Sequence, residues 1–251
     1  MIKLNNNQMY KIEYLFNNIK FYMGKSVLDG LMGEAWVDNL ENPTIAYLLV
    51  RQYCFISGDS KSILAKDVIG NLPKTCKRII ANSDWHNVIE STYSEFEKSK
   101  RYSLKKQIDV FDKEKLKEYS NSLSNEYEIK IIDKEVYEII NQDNTDPLDM
   151  KITDNYLDRG IGVCCFRGNE IVGICSSNII YKHGIEINIR VKQEYKHKGI
   201  GTAMASKLIL LCLEKGLYPS WDAANLNSLG LAQKLGYNFD SEYIIYKVNE
   251  E

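Results

Sequence analysis

The sequence has few of the residues that mark metalloproteins and nucleic-acid-binding proteins. It has 3 histidines, and its 6 cysteines form no Cys-x-x-Cys pair and have no histidine at ligand spacing, so we expect no metal site. Most of the cysteines lie in apolar segments, which is typical of reduced core thiols in a cytoplasmic protein. With 32 basic and 34 acidic residues the net charge is −2, so no global positive field attracts nucleic acid, although residues 192–198 form a local basic patch.

Long apolar runs are also absent. No stretch is long enough to cross a bilayer, and the polar start MIKLNNNQMYKIEY lacks the pattern of a secretory signal. We therefore expect a cytoplasmic protein with no membrane partner. What is present, 44% hydrophobic and 26% charged residues in a chain of 251, is the composition of a soluble globular protein with a buried core.

The length favours two domains, and the polar stretch from Ser120 to Glu126 is the expected boundary. We predict an α/β N-terminal domain over 1–123 and a second domain over 124–251. From residue 127 the predicted order is β-α-β-β-β-α-β-α-β, with three antiparallel strands over 161–191. This order predicts a mixed, mostly antiparallel sheet flanked by helices, which is an α+β fold.

The first half follows a similar order with weaker signals. Helical periodicity covers residues 6–22, and the later segments alternate between predicted strands and helices. The predicted strands are 33–39, 44–59, 75–83 and 101–111, and the predicted helices are 61–72, 83–100 and 112–123. We therefore expect that the first half is a degenerate repeat of the second half.

A glycine turn precedes the longest apolar-periodic segment. Residues 196–202, KHKGIGT, combine two glycines with basic side chains, and the apolar helix predicted over 203–214 follows at once. Unpaired N–H groups at a helix N-terminus bind phosphate when glycines let it approach. By itself a Gly-x-Gly turn is more often an ordinary loop. A Walker loop needs Gly-Lys before Ser or Thr, and a dinucleotide fingerprint needs a third glycine after a parallel strand, so both fit badly.

The stretch VKQEYKHKGIG resembles the acyl-coenzyme A loop of the GNAT N-acetyltransferases. Lys196 stands where that family has Arg or Gln, which keeps the charge but loses a planar donor. The later block WDAANLNSLGLAQKLGY resembles the second signature, with Asn225, a small residue at Ser228 and a Lys-x-Gly-aromatic ending. The resemblance covers residues 127–247. The form EKGLYPSWDAAN resembles the two-part bacterial branch that includes the zwittermicin A resistance acetyltransferase. That resemblance extends through SDWHNVIE and RYSLKKQ into the first half, which is expected to be a degenerate GNAT-like copy.

The resemblance implies acetyl transfer from acetyl-CoA to a primary amine of a small molecule. It implies that backbone N–H groups of the turn hold the pyrophosphate. The strand before the turn and the later helix that begins after Asn225 hold the pantetheine arm. The implied cofactor-binding residues are Ile189, Arg190, Val191, Lys196, His197, Lys198, Gly199, Ile200, Gly201, Thr202, Asn225, Ser228 and Lys234. Lys234 is also compatible with a solvated helix position.

The catalytic assignments are Glu186 and Tyr237. Glu186 is expected to accept the proton of the acceptor amine, provided that a β-bulge absorbs a one-residue offset in register. The competing interpretation is a solvent-facing residue on an edge strand. Relatives carry a tyrosine where this chain has Ala232, so Tyr195 and Tyr237 become the candidates to protonate the leaving thiolate. Tyr237 also fits a core position after Gly236.

Two other classes of protein stay open on the sequence alone. The absent tyrosine favours a non-catalytic CoA-binding sensor or regulatory module, and the glycine turn is compatible with a nucleotide-binding protein. The first half is expected to supply walls of the acceptor site or a homodimer surface. The acceptor itself cannot be predicted, since such sites are built from variable loops.

Overall fold

The computed structural model describes residues 1–17, 22–142 and 156–248. The chain divides into two compact units, Met1–Ser103 with Ser241–Glu251, and Leu104–Asp240. Both contain antiparallel-dominated sheets flanked by helices, which confirms the predicted fold class. The division into domains over 1–123 and 124–251 stays a prediction.

The first unit begins with short elements and continues into a twisted sheet. Its elements are β1 (Ile2–Lys3), 3-10 helices at Asn6–Lys11 and Glu13–Phe16, α1 (Tyr22–Leu28), β2 (Glu34–Val37), β3 (Ile45–Val50), β4 (Tyr53–Gly58), α2 (Ala65–Gly70), β5 (Arg78–Ile80), a 3-10 helix at Ser83–Trp85, α3 (His86–Thr92) and β6 (Phe96–Leu104). Part of the helix predicted over 6–22 falls at 18–21, outside the described residues.

From residue 127 the elements follow the predicted order, although the last strand of the chain lies mainly in the first unit. The elements of the second unit are α4 (Lys113–Ser120), β7 (Tyr127–Ile131), α5 (Lys134–Gln142), α6 (Tyr156–Arg159), β8 (Gly162–Arg167), β9 (Glu170–Tyr181), β10 (Gly184–Val191), a 3-10 helix at Gln193–Tyr195, α7 (Ile200–Glu214), β11 (Tyr218–Ser220), β12 (Asp222–Ala223) and α8 (Leu226–Lys234), followed by β13 (Phe239–Val248).

Three predictions for the first half were wrong, and one of them is the strand expected over 101–111, which spans Phe96–Leu104 instead. The single strand expected over 44–59 is the hairpin of β3 and β4, and its turn residue Arg51 has φ of +53°. Sequence pattern misses this hairpin because its turn lacks the glycine or asparagine that usually marks positive φ. The helix expected over 83–100 ends at Thr92, and a strand begins at Phe96.

The sheet of the first unit runs in the order β1-β2-β3-β4-β5-β13-β6. Neighbours β4 and β5 are parallel, whereas β13 pairs antiparallel with β5. The hydroxyl of Ser103 in β6 donates to the carbonyl of Ser241 in β13 at 3.0 Å. This strand pairing, between segments remote in sequence, explains why the polar residues of β6 form a strand rather than extend the helix.

The sheet of the second unit runs in the order β11-β10-β9-β8-β7. All its pairs are antiparallel except β10 with β11, which pair in parallel from Gly184 with Tyr218 to Glu186 with Ser220. In the part of the chain that the structure describes, β10 pairs only with β9 beyond Glu186. The two parallel strands therefore separate at this point and open the sheet.

Helix α7 packs on this sheet through a continuous apolar face. Met204, Leu208 and Cys212 are fully buried, and α4 packs against the same helix. Gly173 of β9 lies beneath the first turn, where a Cβ atom would be only 2.7 Å from Met204 Cε and 3.1 Å from the Arg190 carbonyl oxygen. The missing side chain thus lets the start of α7 lie close to β9 and β10. None of the helices in the described residues is both long and apolar enough to span a bilayer.

Candidate active site

The glycine turn adopts the backbone conformation that an anion site requires. Gly199 is the N-cap of α7 with φ of +82°, and His197 also has positive φ, at +63°. Within the described residues no side chain caps this helix, and the first turn bond runs from the Ala203 N–H to the Gly199 carbonyl. The N–H groups of the first turn therefore remain for a ligand, beside the positive end of the helix dipole.

A cluster of charged and aromatic side chains fixes the segment before the turn. The carboxylate of Glu170, at the start of β9, accepts from the Tyr195 hydroxyl at 2.7 Å and from Lys192 Nζ at 2.9 Å. The hydrogen bond from Tyr195 and, to a lesser extent, the one from Lys192 lower the pKa of Glu170 below its ordinary value. Lys198 Nζ lies over the Tyr195 ring, 5.0 Å from its centroid. We call Glu170, Lys192 and Tyr195 the loop latch, because they join the turn to β9.

A cleft of about 600 Å³ opens beside the turn. One wall is β10 with the turn and the first residues of α7, and the other is the start of α8. The predicted cofactor-binding residues that line it are Ile189, Val191, Lys196, His197, Gly199, Ile200, Gly201, Thr202, Asn225 and Ser228. Gln193, Tyr195, Ala224, Asn227 and Leu231 line it as well.

Three predicted cofactor-binding residues do not line this cleft. Arg190 lies on the exposed side of β10. Lys198 covers the Tyr195 ring, and Lys234 Nζ lies 4.9 Å from the centroid of the Tyr119 ring on α4. The side chains of Lys198 and Lys234 therefore make contacts within the protein, which do not by themselves decide their role toward a ligand.

The α8 wall is held by a short chain of hydrogen bonds. Asn225 is the N-cap of α8, and its side-chain oxygen accepts from the Ser228 N–H at 2.9 Å. The Trp221 indole N–H donates to Ser228 Oγ at 3.0 Å. The capping role is a sufficient reason for an asparagine at position 225, whether or not a ligand binds there. Asn225 also lines the cleft.

Glu186 lies where β10 and β11 separate. It is the last residue of β10 in register with β11, opposite Ser220, and its exposed fraction is 4%. The pairing of β10 with β9 shifts register between Glu186 and Ile187. This shift in register is compatible with the bulge that was expected to absorb the offset at Glu186, and the side chain is buried rather than solvent-facing.

Tyr237 is buried and lies outside the residues that line the cleft. Its hydroxyl donates to the Pro219 carbonyl at 2.5 Å. Burial raises the pKa of Tyr237 well above the usual value of a phenol, and the neighbouring Tyr218 adds a smaller contribution in the same direction. Ala232 is fully buried, and the Tyr195 hydroxyl is bonded to Glu170. Both tyrosines considered from the sequence thus have protein acceptors for their protons.

The sequence did not predict the loop latch, the Trp221 hydrogen bond or the role of Gly173. Each of them joins residues on different strands or helices, so no local spacing marks it. The metal prediction concerned ligand spacing. Among residues 1–17, 22–142 and 156–248, no three His, Cys, Asp or Glu side chains lie close enough together to hold a metal ion.

A mostly antiparallel sheet that opens between two parallel strands, with an uncapped helix N-terminus beside the opening, is the arrangement of the GNAT fold. The sequence model described as GNAT acetyltransferase matches residues 13–246. The chain therefore belongs to the GNAT acetyltransferase family. This confirms, at the level of the family, the expected N-acetyltransferase class and the resemblance from which it was predicted.

Several proteins resemble the chain. The structure of a GCN5-related N-acetyltransferase-like protein from Streptococcus suis 89/1591 is 32% identical, with a TM-score of 0.87 over 97% of this chain and 99% of that one. The uncharacterized N-acetyltransferase YdfB of Bacillus subtilis (strain 168) is 34% identical over 93 residues, which span 36% of each chain. A tandem GNAT protein from the clavulanic acid biosynthesis pathway shares the fold, with a TM-score of 0.56 at 9% identity over 100% of this chain and 98% of that one.

Proposed function

We propose that this protein transfers the acetyl group of acetyl-CoA to a primary amine of a small molecule. The observation that carries the proposal is the cleft beside the first turn of α7, because its walls combine an anion-binding helix start with an extended strand. A pyrophosphate joined to a flexible arm has this shape and this charge. GNAT enzymes use acetyl-CoA as cosubstrate, so the family favours it over other ligands of similar charge.

The residues of the cleft fit acetyl-CoA. A Cβ atom on Gly201 would lie 3.6 to 3.8 Å from Ile189, Leu231 and Val191, so this glycine keeps the narrow part of the cleft open. The first-turn N–H groups and Lys196 would hold the pyrophosphate. Ile189 and Val191 would contact the arm from β10, and Asn225 and Ser228 would contact it from α8. When bound, acetyl-CoA supplies an acetyl group activated as a thioester.

Glu186 is the proposed base. An acceptor amine is protonated near neutral pH and attacks only after it loses a proton, which a carboxylate can take directly or through water. Glu186 lies at the point where the strands separate, so an amine that enters between them would meet its carboxylate. Direct attack by the amine requires no nucleophile from the protein, and the buried cysteines have no part in it.

The test is a screen of primary amines that detects the CoA thiol released from acetyl-CoA, with Glu186→Gln as the diagnostic variant and exposed Glu118→Gln as its matched control. We expect turnover with at least one amine, at least a hundredfold loss of kcat in Glu186→Gln, and no change in Glu118→Gln. Undiminished turnover in Glu186→Gln would remove this residue from the base role. Tight acetyl-CoA binding without turnover of any amine would favour the sensor function instead.

We also propose that the first half is a degenerate GNAT-like copy, as in the two-part bacterial branch. The parallel pair β4 and β5 is connected through α2, just as β10 and β11 are connected through α7. Beyond Phe55, where β4 is no longer in register with β5, the fully buried Trp85 donates to the Gly58 carbonyl at 3.2 Å. On this proposal, the buried indole leaves no room for a ligand arm beside β4. Calorimetry should therefore give one acetyl-CoA per chain, and a stoichiometry of two would contradict the proposal.

A further inference from the structure

Trp221 lies behind the cleft wall, in the short break between β11 and β12. Its exposed fraction is 4%, and its ring packs edge-on against Tyr237 with centroids 5.7 Å apart. The Tyr237 hydroxyl is in turn bonded to the Pro219 carbonyl. The indole is therefore held on the protein side, and Trp221 is not among the residues that line the cleft.

The indole N–H can only donate a hydrogen bond. Because it donates to Ser228 Oγ at 3.0 Å, Ser228 must act as acceptor in this contact, and its hydroxyl hydrogen is left to point elsewhere. Among the described residues, Ser228 Oγ has no other hydrogen-bond partner, while the Ser228 N–H is bonded to Asn225. A hydroxyl polarised in this way is a better donor than an isolated one.

We propose that Trp221 is a positioning residue for the cosubstrate, and that it acts by making Ser228 a hydrogen-bond donor to the bound acyl arm. The chemistry that matches such a donor is an amide carbonyl oxygen or the thioester group, both of which are acceptors on acetyl-CoA. Without the indole, the Ser228 hydroxyl could rotate and present either polarity. This inference rests on the proposed function. It adds that Ser228 is the donor, not the acceptor, in its hydrogen bond with the acyl arm.

The test compares Trp221→Phe, Ser228→Ala and the double variant by calorimetric titration with acetyl-CoA and with desulfo-CoA. Each single variant should bind acetyl-CoA about three- to tenfold more weakly, as expected for one neutral hydrogen bond. The double variant should bind no more weakly than Ser228→Ala, because Trp221 acts through Ser228. Ser228→Thr keeps the hydroxyl and should restore most of the affinity. If the acceptor is an amide carbonyl, the loss should appear in KM for acetyl-CoA, whereas a bond to the thioester should lower kcat as well.

The two ligands separate the two acceptors. An equal loss of affinity for acetyl-CoA and desulfo-CoA assigns the bond to an amide carbonyl, whereas a loss confined to acetyl-CoA assigns it to the thioester. The matched control is Trp85→Phe, which removes an indole N–H bond in the other compact unit and should lower the melting temperature without changing Kd. Affinity losses that add in the double variant, or single variants with unchanged Kd, would overturn the inference. Absence of acetyl-CoA binding by the wild-type chain would instead overturn the proposed function.

Discussion

The close contact beneath α7 makes Gly173→Ala an informative perturbation. The added methyl group would lie 2.7 Å from Met204 Cε, 3.1 Å from the Arg190 carbonyl oxygen and 3.4 Å from Ile200 Cγ2. Carbon atoms in good contact are about 3.5 to 4.0 Å apart. The Met204 side chain can rotate away, but the Arg190 carbonyl is backbone of β10, so part of the strain moves backbone where β9, β10 and the first turn of α7 meet.

Overpacking of this kind typically costs about 1 to 3 kcal/mol. For a chain of this size, that loss lowers the melting temperature by roughly 3 to 9 °C. Because Ile200 is the first residue of α7, a shift of this turn also displaces the N–H groups proposed to hold the pyrophosphate. We therefore expect acetyl-CoA to bind several-fold more weakly, in addition to the loss of stability.

The assay is denaturant unfolding of Gly173→Ala and wild type, followed by calorimetric titration with acetyl-CoA. The matched control is Gly230→Ala in α8, where an added Cβ would meet nothing within 4 Å. A glycine-to-alanine change inside an unobstructed helix should stabilise the protein by about 0.5 to 1 kcal/mol. Wild-type stability and affinity in Gly173→Ala would refute the role given to this close approach.

Three further predictions concern the turn, the latch and a buried thiol. Gly201→Glu should weaken acetyl-CoA binding roughly a hundredfold in calorimetry, because it adds bulk and like charge to the narrow part of the cleft; retained affinity would place the pyrophosphate elsewhere. Glu170→Gln should weaken binding only two- to threefold, since the Glu170 carboxylate itself is exposed to solvent, and an equal loss in the matched variant Glu128→Gln would show that the effect is not specific. Burial raises the pKa of Cys165 to about 11 from an ordinary value of 9.0. The unfolded chain therefore releases this proton first, and the free energy of unfolding should fall as the pH rises from 9 to 11. Denaturant unfolding of Cys165→Ala should show a shallower fall, and an unchanged slope would contradict the assignment.

The sequence predicted most of the second half because its signals are local. Residues 161–191 consist of three apolar runs separated by turn residues at 167–169 and 182–184, so three antiparallel strands follow from the pattern alone. The turn at 196–202 could be located from its glycines and from the apolar segment that follows. A bulge beside Glu186 was one way to absorb the offset in register, and the pairing of β10 with β9 does shift register at this point. The catalytic roles of Glu186 and Tyr237 remain predictions.

The parts that could not be predicted depend on contacts between remote segments. The final strand β13 pairs with β5, through Tyr246 and Ile79, and no alternation within β13 indicates that partner. The turn at Arg51 carries no glycine, so a continuous apolar run concealed a hairpin. The sequence did not predict the hydrogen bond of Glu170, because its partner Tyr195 lies 25 residues away. In each instance tertiary packing determined the outcome and local propensity did not.

Hydrogen–deuterium exchange with and without acetyl-CoA tests the central claim most directly. If the first turn of α7 holds the pyrophosphate, acetyl-CoA should slow exchange of the amides from His197 to Thr202, and those of Ile189 and Val191 to a lesser degree. The same experiment on Gly201→Glu should show no protection at this turn. Unchanged exchange over 197–202 in the presence of bound acetyl-CoA would contradict the account.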